Sequence, residues 1–181
     1  LLLAVASGLI VANLYFAQTL VGPISASTGL SAKAAGLIVT LTQVGYTLGL
    51  LFVVPLGDLL ENRRLIITAL LVTATALVVA AMSTGAIVFL AAALAIGLGS
   101  VAAQVIVPFA AHLSQEATRG QTVGKVVSGL LLGIMLARPV ASLVAAHASW
   151  HVVFGGAAVL MLALAAVLRR ALPVRQPVSN M

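Results

Sequence analysis

Six apolar runs, each about long enough to cross a lipid bilayer, decide what this chain can fold into. They cover Leu1 to Val21, Ala34 to Leu56, Leu65 to Met82, Gly85 to about Ala111, Val126 to Ala146 and Val152 to Leu168. Crossing about 30 Å of hydrocarbon takes about 20 residues of helix, and in lipid only helices and closed barrels satisfy their own backbone hydrogen bonds. Because the runs are continuous rather than alternating, they select helices over barrel strands. Water is excluded as the surrounding solvent. With 62% hydrophobic and 7% charged residues, a chain of 181 residues lacks the polar side chains needed to cover a soluble surface. The expected class is therefore an all-α membrane protein, with a six-helix transmembrane bundle over residues 1–170 and the start of a cytoplasmic linker over residues 171–181. An even number of spans puts both ends on one side.

The formal net charge of +6 is distributed unevenly. Arg63, Arg64, Arg119, Lys125, Arg169, Arg170 and Arg175 fall on one side of the six-span plan, whereas Lys33 alone falls on the other. This is the positive-inside bias, and it predicts that both ends of the segment are cytoplasmic. A nucleic-acid partner would call for a soluble basic surface with aromatic platforms, and the pattern offers neither. The chain has no cysteine, so disulfides and thiolate metal sites are excluded. The first run shows no basic leader before it and carries Asn13, Tyr15 and Gln18, so it is expected to be a retained helix rather than a cleaved signal. Ser31, Thr84 and Ser149 are the expected N-caps of the second, fourth and sixth helices, and Thr118 with Gln121 fits a capping box before the fifth. Trp150 is expected as an interfacial anchor.

The chain also repeats itself. Gly45, Gly49 and Pro55 recur as Gly129, Gly133 and Pro139, each 84 residues later, and Gln18 is followed by Gln104 at nearly that displacement. Three helices twice over, about 1–82 and 85–168, are two repeats of opposite orientation, because an odd number of spans inverts the second copy. The glycine steps Gly45 to Gly49 and Gly129 to Gly133 are of the small-residue kind that allows close helix packing.

Between the second and third runs lies the turn Val54-Pro55-Leu56-Gly57-Asp58-Leu59-Leu60-Glu61-Asn62-Arg63-Arg64, which holds two of the three acids and two of the nine bases. In its order of aspartate and then arginines it resembles the loop between helices 2 and 3 of the major facilitator superfamily. Leu56, Gly57, Asp58 and Arg63 match the family pattern, whereas Val54, Leu59, Glu61 and Asn62 depart from it. Further likeness lies in Leu14-Tyr15-Phe16-Ala17-Gln18, in Gln43 to Gly49, in Arg119-Gly120 and in Trp150, so that it covers the whole chain and is closest to bacterial drug and sugar efflux members. The resemblance implies half of a twelve-helix fold, its carboxy-terminal six helices missing here. It also implies that Gly57, Asp58, Arg63 and Arg64 form a latch favouring one conformation. The plainer reading is that the acids only balance the arginines at a solvated loop. The absence of an initiating methionine and the polar end of the chain fit an amino-terminal fragment.

Arg138 lies near the middle of the fifth run, where an arginine costs on the order of 2.5–3.5 kcal/mol on insertion scales. It must face protein or a water-filled cavity, either as a substrate or coupling charge or as a structural group bonded to neighbouring carbonyls. Pro139 beside it removes a backbone donor and is expected to open the helix locally. Tyr15, Gln18 and Thr19 share one face of the first helix, as do Thr40, Gln43 and Thr47 in the second and Ser100 and Gln104 in the fourth. These faces line a cavity or bond between helices. The Gly129 to Pro139 stretch resembles a glycine-rich segment of the family's antiporters, although the arginine those proteins often carry before a fourth-helix glycine is here Ala93. His147 with His151, and His112 with Ser114, lack a third ligand for a metal, and Ser128 has no facing histidine for hydrolysis. No catalytic residue, metal or cofactor is expected.

The resemblance thus implies secondary-active transport of a small drug- or sugar-like solute through a bacterial inner membrane, by proton-coupled efflux and alternating access. A six-helix channel and an intramembrane enzyme are the alternatives; the first needs a pore-lining ring and the second an embedded catalytic pair.

Overall fold

The computed structural model describes residues 1–173, so Arg175 and most of the expected linker lie outside the described residues. The chain is helical: α1 (Leu2–Thr19), α2 (Val21–Thr28), α3 (Leu37–Phe52), α4 (Leu56–Leu59), α5 (Asn62–Met82), α6 (Ala86–Ser100), α7 (Ala102–His112), a 3₁₀ turn (Glu116–Thr118), α8 (Arg119–His147) and α9 (Trp150–Ala171). Grouped by length and apolarity they give six candidate spans, with α3 and α4 forming the second and α6 and α7 the fourth.

The breaks within spans have local causes. After α1 the chain turns at Leu20, and α2 restarts with Gly22 and Pro23 in its first turn, where proline loses no hydrogen bond. Helix α2 ends at Gly29, whose φ of 74° is a left-handed cap open to glycine at no steric cost. Pro55 separates α3 from α4, whereas α8 runs unbroken through Pro139, against the expectation of a local opening there. Charged residues extend the helices beyond the apolar runs: Arg63 and Arg64 belong to the first turn of α5, Arg119 and Lys125 to α8, and Arg169 and Arg170 to the last turn of α9.

The expected caps need correction. Helix α3 starts after Gly36 rather than Ser31, whose hydroxyl instead accepts from the Ala34 N–H at 3.3 Å in a preceding turn, and α6 starts after Gly85 rather than Thr84. Thr118 and Ser149 do stand at the starts of α8 and α9, but neither side chain caps its helix.

Packing follows the helical period. Helix α5 buries Ile66, Ala69, Leu70, Thr73, Ala74, Leu77 and Ala80, and α9 buries Trp150, Val153, Phe154, Ala157, Ala158, Met161, Leu164 and Leu168, each a stripe of three- and four-residue steps. The two helices pack along most of their lengths. Trp150 is therefore not an interfacial anchor. The residue is 5% exposed, and its ring sits edge-to-face with Phe89 and Phe154 at 5.7 and 5.9 Å between centroids, the geometry the aromatic quadrupole favours over a face-to-face sandwich.

The remaining principal contacts are α1 on α8, α3 on α6 and α5 on α6. Exchanging the first three spans for the last three turns the α1–α8 contact into the α6–α3 contact and maps α5–α9 onto itself. At both crossings glycine lets backbones touch: a Cβ on Gly133 would overlap the Gly8 carbonyl, one on Gly129 the Ala4 carbonyl, one on Gly45 the Leu94 carbonyl and one on Gly97 the Thr42 carbonyl. In lipid, where burying apolar surface gains little, such close van der Waals contact is a main source of helix association.

Candidate functional site

Two cross-helix hydrogen bonds organise the polar residues inside the bundle. Arg138 on α8 donates from Nη2 to Gln18 Oε1 on α1, and its guanidinium lies 5.8 Å from the centroid of the Tyr15 ring, one turn earlier on the same face. On the other side Gln104 Nε2, on α7, donates to the Tyr46 hydroxyl of α3 at 2.8 Å. Of the five residues expected to line a cavity, the fold joins Tyr15, Gln18 and Arg138 into one cluster and gives Gln104 a different partner. Gln43 is half-buried and forms no side-chain bond to any of them among the described residues.

Tyr46 was not among the expected residues. The signal for it lay in its place, three residues after Gln43 on one helix face and inside the Gly45 to Gly49 step. Asn13 is the other polar group placed deep in the bundle: its Nδ2 donates to the Ile10 carbonyl at 3.0 Å and lies 3.3 Å from Met161 Sδ, while its Oδ1 is buried with no partner among the described residues.

Arg138 is exposed in this chain, and so is most of its helix. Only 11% of the most apolar stretch of the α8 span is buried, and 22% of the α3–α4 span, against 44–56% for the other four. The repeat-related α3 and α8 are thus the two helices that the bundle itself covers least. A guanidinium near mid-membrane on such a face cannot rest against hydrocarbon; protein or water must meet it.

At the turn before α5 the ion pair is Arg64 Nε with Glu61 Oε2, 2.9 Å apart. Neither arginine pairs with Asp58, which is exposed. The reason is local: Leu60 is extended (φ −110°, ψ 164°) and separates Asp58 on α4 from the first turn of α5, whereas Glu61 stands three residues before Arg64. Gly57 lies against Asn62, whose Oδ1 would be 3.2 Å from an added Cβ. The second oxygen of Glu61 is buried without a partner among the described residues.

His147 and His151 are engaged separately. His147 Nδ1 lies 3.0 Å from the Leu143 carbonyl and His151 Nδ1 2.7 Å from that of Ala81, with the His151 ring stacked on Trp150. Among the described residues no three metal-ligating side chains gather. Ser128 donates to the Gly124 carbonyl at 2.8 Å.

Six membrane-length helices, stitched by glycine at two repeat-related crossings and carrying one charge at mid-span, define half of a membrane transporter fold. The chain matches the Major Facilitator Superfamily over residues 3–180 and belongs to that family. It is 47% identical over 172 residues to the uncharacterized transporter YgaY of Escherichia coli O157:H7, covering 95% of this chain and 44% of that one. A protein of Streptomyces coelicolor named as a probable transporter is 34% identical over 175 residues, or 97% of this chain and 41% of its own. The chain spans less than half the length of these relatives. Among solved structures, the inward-open xylose transporter XylE of E. coli matches with a TM-score of 0.72 at 16% identity, covering 96% of this chain and 47% of that one, which is a likeness of fold.

Proposed function

We propose that this chain is the amino-terminal half of a secondary-active transporter that moves a small solute across a bacterial inner membrane by alternating access, with both ends of the segment cytoplasmic. The observation that carries the reading is the Arg138–Gln18–Tyr15 cluster, a charge held in register at mid-span on the helix least buried by its own bundle. The relatives extend well past this chain, and a second six-helix half is the natural cover for the open faces of α3 and α8. A central cavity between the halves then gives Arg138 its water or its anionic partner. Gln43, Gln104 and Tyr46 border the same space from α3 and α7. In the finer reading the solute is drug- or sugar-like and leaves the cell in exchange for protons. Packing of Gly45, Gly49, Gly129, Gly133 and Pro139 supports the scaffold and takes no part in binding.

The test uses the full-length protein in everted membrane vesicles energised by a proton gradient and offered a panel of fluorescent drugs and labelled sugars. Saturable, gradient-dependent accumulation that a protonophore collapses and Arg138→Leu abolishes is the expected result. Flux that survives the protonophore undiminished and shows no saturation points to a channel and ends this reading.

The turn before α5 is the conformational latch in this proposal, with Asp58 reaching the other half and Arg63 and the Glu61–Arg64 pair fixing the loop. Asp58→Asn is expected to shift the balance of inward- and outward-facing states, read by cross-linking or distance labels across the two ends. Unchanged populations together with unchanged transport reject the latch.

A further inference from the structure

Packing of α5 on α9 brings the first turn of one helix beside the last turn of the other, and four arginines meet at that end of the bundle. Arg63, Arg64 and Arg169 border a hollow of about 420 Å³, and Arg63, Arg169 and Arg170 an adjoining one of about 380 Å³. The single carboxylate there, Glu61, is already paired with Arg64. From Thr68, which borders the first hollow, a groove of about 700 Å³ continues between α5 and α6 along Leu71, Val72, Thr75 and Val79, facing Val88 and Ala91. A basic basin thus opens into an apolar channel on one continuous track.

The threonines mark where polar gives way to apolar. Thr73 and Thr75 return their hydroxyls to the carbonyls four residues earlier, at 2.9 Å each, so that Thr75 shows the groove only carbon. The exposed Thr68 makes no such bond among the described residues and keeps a free donor at the junction. From Arg63 to Val72 the track follows nine residues of helix, about 14 Å at about 1.5 Å per residue, and beyond Val72 the groove runs on toward the other end of α5. One leaflet of hydrocarbon is about 15 Å thick.

We propose that this track binds one anionic glycerophospholipid from the leaflet on the arginine side. Its phosphate sits against Arg63, Arg169 and Arg170, whose planar forks suit phosphate oxygens. Thr68 donates to the ester region below, and one acyl chain enters the α5–α6 groove along Leu71 and Val72. Charge complementarity and the match of the Arg63–Val72 stretch to one leaflet select this occupant, since a free anion has no use for the channel and an uncharged lipid none for the arginines. The site depends on the membrane setting of the helices and not on the solute or direction of transport.

The test places full-length protein in bilayers of mixed lipid and measures, with spin-labelled lipids of identical chains, the preference for phosphatidylglycerol over phosphatidylcholine. Arg169→Gln/Arg170→Gln is expected to lower that preference by about five-fold or more, whereas the charge-matched Arg119→Gln/Lys125→Gln leaves it within about two-fold. Val72→Phe, filling the groove from an exposed position, is expected to reduce binding of both lipids. Equal losses in the two charge pairs would mean diffuse attraction to the basic end and overturn the proposal. So would displacement of the bound anion by millimolar inorganic phosphate together with indifference to Val72→Phe, which would mark a site for a soluble anion.

Discussion

The crossing of α1 on α8 and the crossing of α3 on α6 are built alike and carry different chemistry. Each is closed by glycines four residues apart whose missing Cβ atoms let one backbone rest on another. Each also precedes a glutamine that bonds across the bundle, Gln18 to α8 and Gln104 to α3. Yet Gln18 accepts from a guanidinium, whereas Gln104 donates to a phenol. The scaffold is duplicated and the charge is not. Packing is the part of a repeat that must be kept in both copies, because in lipid it is what holds the helices together. The polar partner can diverge, since a neutral bond and a charged one fit the same glutamine. In the proposed reading, function therefore belongs to the α1–α8 side.

The largest expected effect breaks what the crossings share. Gly133→Val and Gly97→Val each drive a branched side chain into a neighbouring backbone, which cannot move aside as a flexible side chain would. Overpacking of this kind costs about 1–3 kcal/mol or more. Gly155 and Gly156 have open space around the position of a Cβ, so alanine there is expected to be silent. Thermal unfolding of the full-length protein in detergent checks the contrast. Equal midpoints for Gly133→Val and Gly155→Ala would mean that the close approach is not what stabilises the crossing.

The next effect separates the two crossings. Arg138→Leu removes the one charge at mid-span, and transport is expected to fall at least about ten-fold, while Arg138→Lys keeps the charge but loses the planar fork over Tyr15 and should fall between. The fold should survive, because burying a leucine near mid-membrane relieves an insertion cost rather than adding one. Transport rates beside the same unfolding midpoints check this. Wild-type transport by Arg138→Leu would assign the arginine a structural part only.

How much of this was legible in the sequence depends on the kind of interaction. The six spans were, since run length in lipid leaves few alternatives, and so was the pairing of glycines that now sit at two equivalent crossings. Arg138 declared itself by its cost, but its partner Gln18 stands 120 positions away and only the crossing of α1 on α8 joins them. Trp150 was misplaced because the same indole suits a membrane interface and an aromatic core, and only the neighbours Phe89 and Phe154 decide. The Glu61–Arg64 pair lay open in its three-residue spacing, yet the family pattern draws the eye to Asp58. Helix starts were misjudged by one to five residues because a helix end that reaches water needs no hydroxyl cap.

The smallest expected effect lies in the neutral pair, and it sharpens the contrast most. Cross-helix hydrogen bonds in membranes average about 0.6 kcal/mol, because in the alternative state the same groups find other partners. Tyr46→Phe removes only the hydroxyl that accepts from Gln104, and Gln104→Leu only the donor, so either is expected to cost no more than about three-fold in transport or about 1 kcal/mol in stability. In a double-mutant cycle the pair should couple by about that average, whereas Gln18→Leu with Arg138→Leu should couple more strongly, since losing Gln18 alone strands a charge. Both cycles can be read from the unfolding midpoints of four proteins each. Equal coupling at the two sites would show that the guanidinium finds compensation elsewhere, and the chemical asymmetry of the two crossings would then carry no energetic weight.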